Sequence, residues 1–288
     1  MAPPGHASDA LEEDWLGLCR GASDAVARAL ERYPTTAERS QTTGRGEGGD
    51  LTLVVDRAAE DAIFGELEAL GAPVTAVSEE RGHVAIAGGG PVHVVIDPID
   101  GSLNAKRGFP SYSVSIAVAR GATMADVEIG YVRDLACGDE WWARRGEGAF
   151  LGGERLGPLD ASATLEVLGI ESAMPEVVEA AAARLAMTGA RRLRALGSIA
   201  LTLCQVAAGR LDGMVSLAAC RSVDAAAGQL IVTEAGGAAA FPDTADGLLG
   251  ASLALDMRSR VVAAAGPEPL GRLLRDVCSV AAPDGMRG

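Results

Sequence analysis

The chain has 288 residues, enough for one large domain or two smaller ones, and its 48% apolar content is incompatible with a disordered polymer. Aromatic residues make up only 3%, so Ala, Val and Leu must build the core. The net charge of −14, with no Lys/Arg run and Lys106 as the only lysine, argues against binding nucleic acid or an anionic membrane, which needs positive charge to displace counterions.

The first eight residues read as a loose tail, without the basic region and apolar core of a signal peptide. Helical spacing of Leu11, Trp15, Leu18, Ala22, Val26 and Ala29 predicts a helix from about Asp9 to Tyr33. The polar, Gly-rich stretch 34–50 reads as a mobile loop. LTLVV (51–55) is a short strand, and a helix with Ile63, Leu67 and Leu70 on one face starts at Asp56, a candidate N-cap. The strand APVTAVS then ends in Glu79-Glu80, and VHVVI (92–96) runs into DPIDGS with Asp97 and Asp100.

SYSVSIAVA (111–119) alternates like a half-buried strand, and segments 125–134 and 139–146 look like further antiparallel strands. After about residue 160, strands and helices alternate, as in a helix-covered sheet. The expected organisation is an N-terminal α+β part (1–160) with an antiparallel sheet and a C-terminal α/β part (161–288), with a site between them. The last residues, 282–288, read as a tail.

Several motifs are decoys. GRGEGG (44–49) satisfies G-x-G-x-x-G, but it follows a polar loop and leads into a strand, the wrong context for a dinucleotide fingerprint. Cys204 and Arg210 have the C-x5-R spacing of a cysteine phosphatase, but QVAAG between them is no phosphate cradle, and Cys204 reads as a core thiol. His6, His83 and His93 lack ligand spacing. The five cysteines are widely spaced with no Cys-x-x-Cys, which fits a reducing, cytoplasmic setting. No apolar run approaches the ~20 residues of a membrane span. DPIDGS is similar to the start of an aspartyl phosphatase, but its acids are three apart rather than two.

The remaining signal is acidic. Asp56, Glu79, Glu80, Asp97, Asp100 and Asp224 all fall at predicted element ends. Each alone reads as a cap or a solvated acid. If they converge, two carboxylates ~5 Å apart repel by roughly 3 kcal/mol at an effective dielectric of ~20. A cation must then hold the cluster, and hard oxygen donors suit Mg²⁺ or Mn²⁺. Gly101 permits close backbone approach, and the amides of Gly101 and Ser102 can receive phosphate oxygens.

DPIDGSLNAKRGFP (97–110) resembles the signature of the inositol monophosphatase family. VDAAAGQLIVTEAGG (223–237), the Glu79-Glu80 pair and DLTLVVD (50–56) resemble its other motifs, in family order. The resemblance implies a layered αβαβα sandwich, an α/β (α+β) fold of the inositol monophosphatase/fructose-1,6-bisphosphatase type. It implies a Mg²⁺-dependent, lithium-sensitive phosphate monoesterase acting on a small phosphorylated polyol or sugar. The tuning of VDRAAED, DGSLN and RSVD looks closest to the archaeal enzymes that act on both inositol phosphate and fructose 1,6-bisphosphate.

By the same resemblance, Glu79, Asp97 and the Ile99 carbonyl bind one Mg²⁺, while Asp97, Asp100 and Asp224 bind a second. Two or three ions per site are implied, and Mn²⁺ can substitute. Asp56 and Ser102 activate water, and Gly101, Ser102, Arg194, Gly197, Ser198 and Arg221 contact substrate. Glu80 is either a further ligand or lies behind the ligands. Arg191, Arg192, Arg194 and Arg221 either grip a second phosphate or serve surface ion pairs. Arg45 reads as a solvated loop arginine. Ser78, Ala105 and Val223 depart from the usual Gly, Phe and Trp, and Ser216 falls about where inositol-specific members carry a glutamate. A homodimer or homotetramer is implied. Histidinol phosphate and 3′-phosphoadenosine 5′-phosphate are alternative substrates, and a non-catalytic binding or scaffold member is a remoter alternative.

Overall fold

A computed structural model of the chain describes residues 10–47, 51–161, 164–245 and 248–278. The tails expected at 1–8 and 282–288, His6 and Asp50 lie outside these residues.

The chain opens with helix α1 (Trp15–Leu30). Its Asp14 cap accepts the Gly17 amide at 2.9 Å. The expected loop 34–50 is partly regular. It carries α2 (Thr36–Arg39), closed by a Thr35/Glu38 capping box, and β1 (Thr42–Arg45), which pairs antiparallel with β2 (Leu51–Leu53). Arg39 ties the segment down by donating to the carbonyls of Tyr33 and Ala105.

Helix α3 (Val54–Leu70) begins two residues before Asp56. Asp56 is therefore not the N-cap. It is the third helical residue, and its carboxylate reaches back to the Leu53 amide at 3.2 Å. Asp224 does the same on α7 (Ser222–Glu234), where its Oδ2 accepts the Arg221 amide at 2.8 Å. A carboxylate can serve a helix start from either position, which is why spacing alone misplaced both boundaries.

An eight-stranded sheet follows the order β10-β9-β8-β7-β6-β5-β3-β4. Its strands are β3 (Val74–Ser78), β4 (Gly82–Ile86), β5 (Val92–Asp100), β6 (Ser113–Ala119), β7 (Val127–Asp134), β8 (Glu140–Arg144), β9 (Gly148–Leu151) and β10 (Glu154–Arg155). The sheet is antiparallel except where β3 runs parallel to β5. The short helix α4 (Ser102–Arg107) leaves the end of β5.

The second sheet has five strands in mixed order, β12-β11-β13-β15-β14. They are β11 (Val167–Glu171), β12 (Arg192–Arg194), β13 (Gly213–Ser216), β14 (Ala238–Ala240) and β15 (Val262–Ala264). The remaining helices are α5 (Pro175–Met187), α6 (Ile199–Ala207) and α8 (Pro267–Cys278).

Three apolar clusters define the layering. Trp15, Ile63 and Phe64 of α1 and α3 pack on Val94, Ile96 and Ile116 from one face of the large sheet. Val95, Ala117 and Val132 on its other face meet α6 and α7, which also cover one face of the small sheet. Helices α5 and α8 close the far side against Leu168, Val215 and Val262. The order is α-β-α-β-α, as the family resemblance implied.

Strand β6 is buried at every position rather than at alternate ones, because helices cover both of its faces. Helix α7 also lies close on the neighbouring strand β7: a Cβ on Gly130 would lie 2.6 Å from the Ala227 carbonyl oxygen. Gly130 thus lets helix backbone rest on strand backbone. Cys204 lies fully buried in α6, as expected of a core thiol. No helix among the described residues is long and apolar enough to cross a membrane.

Candidate active site

The site assembles where the parallel strands β3 and β5 end. Ser78 is in register with Ile96, so Glu79, just past β3, comes beside Asp97. Strand β5 continues through Asp100, so both aspartates stand on the strand instead of after it. In a regular strand, residues three apart face opposite sides. Here the pairing with β6 breaks between Asp97 and Asp100, at Pro98-Ile99. This irregularity brings both carboxylates to the same cleft.

Gly101 then turns the chain into α4 with φ of +92°, and a Cβ there would meet the Gly197 and Ser111 carbonyl oxygens at 2.9 and 3.0 Å. Only glycine fits so close an approach of the two loops.

A cleft of about 700 Å³ is lined by Glu79, Asp97, Ile99, Asp100, Gly101, Ser102, Gly197 and Asp224, with Asn104 and Glu171 among its further walls. A neighbouring recess of about 390 Å³ is lined by Asp56, Glu79, Glu80, Ser102 and Lys106. Glu79 and Ser102 border both, so every expected acidic residue falls within one continuous neighbourhood.

Each carboxylate has protein donors. Asp97 Oδ1 accepts the Ile99 amide at 3.0 Å. Asp100 Oδ2 accepts the Ser198 hydroxyl at 2.5 Å and the Ala200 amide at 2.6 Å, at the start of α6. Arg221 Nη1 reaches Glu79 Oε1 at 2.6 Å. Glu80 accepts the Thr52 hydroxyl. As they stand, no group of three His, Cys, Asp or Glu side chains among the described residues closes on a common metal position. The physical reason is that carboxylates crowded together turn toward local N–H and O–H donors to reduce repulsion.

Burial dominates the electrostatics. Desolvation, then repulsion from Glu79, Asp100 and Asp224, pushes Asp97 well above the ordinary carboxylate range. Burial, then the charge of Asp224, raises Glu79 to about 8 and Asp100 to about 7, although the Ser198 and Ala200 donors pull Asp100 down in part. Burial raises Asp56 to about 7. The nearby Ser102 favours the charged form of Asp56. The Ser102 hydroxyl nevertheless donates to the Ile99 carbonyl at 2.9 Å, and Asp56 Oδ1 is buried without a partner. A buried carboxylate oxygen with no hydrogen-bond partner, set among other buried acids, suits a positive charge. The all-oxygen donor set fits a hard divalent cation.

The expected substrate contacts divide. Gly101, Ser102 and Gly197 line the cleft. Ser198 lies behind Asp100, and Arg221 is engaged with Glu79. Arg194 lies on the exposed edge strand β12 with its guanidinium on the Leu193 carbonyl, outside the cleft lining, and Arg191 and Arg192 are exposed beside it. A three-residue edge strand with alternating arginines is consistent with a solvated face.

Residues that the sequence reading did not single out complete the walls. Asn104 Nδ2 donates to the Ser111 and Leu196 carbonyls, both at 2.7 Å. Glu171 is buried and accepts the Leu196 and Gly197 amides at 3.0 Å each and the Thr202 hydroxyl at 2.6 Å. It ends β11 as Glu79 follows β3, so the strand-end acid rule that found Glu79 could have found it too.

Comparison with known proteins agrees with this geometry. A sequence model of the inositol monophosphatase family matches residues 13–282. A fructose-1,6-bisphosphatase/inositol-1-monophosphatase of Methanothermobacter thermautotrophicus is 37% identical over 235 residues, 77% of this chain and 82% of that protein. The Nus factor SuhB of Pasteurella multocida is 34% identical, over 77% of this chain and 81% of its own length. A crystal structure of an inositol monophosphatase-fructose 1,6 bisphosphatase superposes with a TM-score of 0.78 at 25% identity, covering 92% of this chain and 100% of the other. The chain belongs to the inositol monophosphatase family and is a phosphatase.

Proposed function

We propose that this phosphatase is a Mg²⁺-dependent inositol-1-monophosphatase. The observation that carries the reading is the convergence of Glu79, Asp97, Asp100 and Asp224, from β3, β5 and α7, on one cleft. Glu79, Asp97, Asp100, Asp224 and the Ile99 carbonyl would hold the cations, two or three per site, with Mn²⁺ able to replace Mg²⁺. When bound, Mg²⁺ lowers the pKa of water and neutralises phosphoryl oxygens.

The chain's own groups then do the rest. Asp56 would accept a proton from the attacking water, with Ser102 beside it in the same recess to orient that water. The backbone of Gly101 and Ser102 supports the phosphate, and Asn104 and Glu171 keep the opposing Leu196-Gly197 wall in place. Among the described residues, the cations nearest the large cleft are Lys106, which lines the adjoining recess, and Arg221, which contacts Glu79. The family and the relatives named inositol-1-monophosphatase support inositol 1-phosphate as the primary substrate. Fructose 1,6-bisphosphate is a secondary one, supported by the archaeal relatives that carry both names.

A second reading keeps the site and changes the leaving group to a nucleotide. It is favoured by a bifunctional NADP phosphatase/NAD kinase of Methanococcus maripaludis, 30% identical over 78% of this chain and 43% of its own length. The reading also takes the enzyme as cytoplasmic, lithium-sensitive and a homodimer or homotetramer, as its family membership suggests. Phosphate release from inositol 1-phosphate, fructose 1,6-bisphosphate, histidinol phosphate, 3′-phosphoadenosine 5′-phosphate and NADP, with and without Mg²⁺, tests it. Activity that ignores both Mg²⁺ removal and Asp97→Asn would end it.

A further inference from the structure

Glu60 is a fully buried acid that the reaction does not use. It lies one helical turn after Asp56 on α3, on the same face. A buried carboxylate persists only when its lone pairs are satisfied. Glu60 Oε1 accepts the Ser78 hydroxyl at 2.5 Å and the Arg81 amide at 3.0 Å, and Oε2 accepts Arg81 Nε at 3.2 Å. Arg81 is held in turn by Asp61 and by the Phe64 ring, 4.3 Å from its guanidinium carbon.

Ser78 and Arg81 bracket Glu79 and Glu80 in the chain. The carboxylate of Glu60 therefore grips both ends of the turn that carries Glu79 and fixes it to the helix that carries Asp56. Ser78 itself has no exposed surface, so its hydroxyl has Glu60 as its partner in place of water.

We propose that Glu60 is a positioning residue for the cation site: with Ser78 and Arg81 it sets where Glu79 stands relative to Asp56, and so sets divalent cation affinity. The proposal rests on the cation-dependent reading above. Groups that orient metal-binding side chains typically change affinity or activity by about 10–100-fold when removed.

The test is isothermal titration of Mg²⁺ into the chelator-treated protein, with melting curves for each variant. Glu60→Gln keeps an acceptor but loses the charge facing Arg81, and Ser78→Ala removes one grip. We expect the Mg²⁺ dissociation constant to rise roughly 10-fold or more in Glu60→Gln and a few-fold in Ser78→Ala. At saturating Mg²⁺ the substrate KM should stay within about twofold of wild type.

Glu140→Gln weakens the Arg20–Glu140 ion pair between α1 and β8, a more exposed contact outside both cavity linings. It should lower the melting temperature without moving Mg²⁺ affinity, separating positioning from general stability. If Glu60→Gln does not fold, Ser78→Ala decides alone. An unchanged Mg²⁺ dissociation constant in the folded variants overturns the clamp while leaving the phosphatase reading standing. Wild-type protein that takes up no Mg²⁺ would sink both.

Discussion

Arg221 Nη1 lies 2.6 Å from Glu79 Oε1, a contact between residues 142 positions apart that joins the start of α7 to the end of β3. Both side chains are less than one-fifth exposed. The guanidinium gives Glu79 a positive neighbour in a site otherwise crowded with carboxylates, and any cation bound by Glu79 competes with it. Removing the arginine should therefore weaken the cation-free protein and strengthen cation binding.

For Arg221→Gln we expect a loss of roughly 1–2 kcal/mol in chelator at pH 7, below the ~3–5 kcal/mol of a broken, fully buried pair. Glu79, raised to about 8, is already largely protonated at pH 7 in the cation-free chain, which limits the cost. The Mg²⁺ dissociation constant should fall about threefold or more. Melting curves with EDTA and with Mg²⁺ check this, and an identical Mg²⁺ increment in both proteins would contradict it.

The raised carboxylates predict an unusual pH dependence. Asp56, Asp97, Asp100 and Glu79 bind protons more tightly folded than unfolded. Between the unfolded pKa values near 4 and the folded values of about 7–8, the folded chain holds more protons, so stability falls as pH rises. Cation-free protein should be most stable near pH 5 and lose stability progressively to pH 8. Mg²⁺ should reverse the trend, because deprotonated carboxylates bind it better. Thermal melts from pH 5 to 8, with and without Mg²⁺, measure both slopes.

Asp97→Asn separates function from stability. The carboxamide removes a charge that Glu79, Asp100 and Asp224 oppose, while its oxygen can still accept the Ile99 amide. In chelator at pH 8 the variant should melt higher than wild type, by several degrees. Its phosphate release should fall by at least about 100-fold. Sites that keep like charges together for function are commonly relieved by such a change.

Much of this site was legible in the sequence, through residue type and position. The acids at the ends of β3 and β5 and at the starts of α3 and α7 were visible as out-of-place charges. What made Asp97 and Asp100 share a cleft was not, because a break in strand register leaves no mark in a period-of-two pattern. The burial of β6 on both faces was equally hidden, since its Ser113 and Ser115 mimic a solvent face. Glu60 and Glu171 were overlooked for a related reason. An acid in an amphipathic helix or at a strand end reads as solvated until the partners that bury it are known. The division into an antiparallel-sheet half and a helix-covered half came through from helical and strand periodicities, which tolerate boundary errors of two or three residues, whereas the five-layer order came from the family motifs.

Asn104 offers the sharpest probe of how the two sides of the cleft are held together. Its amide nitrogen donates at 2.7 Å to Ser111 O, just before β6, and to Leu196 O, just before α6. Aspartate at this position has the same shape but no N–H, so it would place a carboxylate against two carbonyl oxygens in a cleft already rich in negative charge. Asn104→Asp should cost roughly 2–3 kcal/mol, more than the ~1–2 kcal/mol expected of Asn104→Ala, which leaves the carbonyls open to water. Because Leu196 and Gly197 form the wall facing Gly101, both variants should raise substrate KM more than they lower kcat. Mg²⁺ affinity should hold in Asn104→Ala, since no expected cation ligand touches the amide, and should tighten in Asn104→Asp, whose added charge lines the cleft. Chemical denaturation, steady-state kinetics and Mg²⁺ titration on the two variants give the comparison. If alanine proves as disruptive as aspartate, the two carbonyls depend on the amide for more than a missing hydrogen bond.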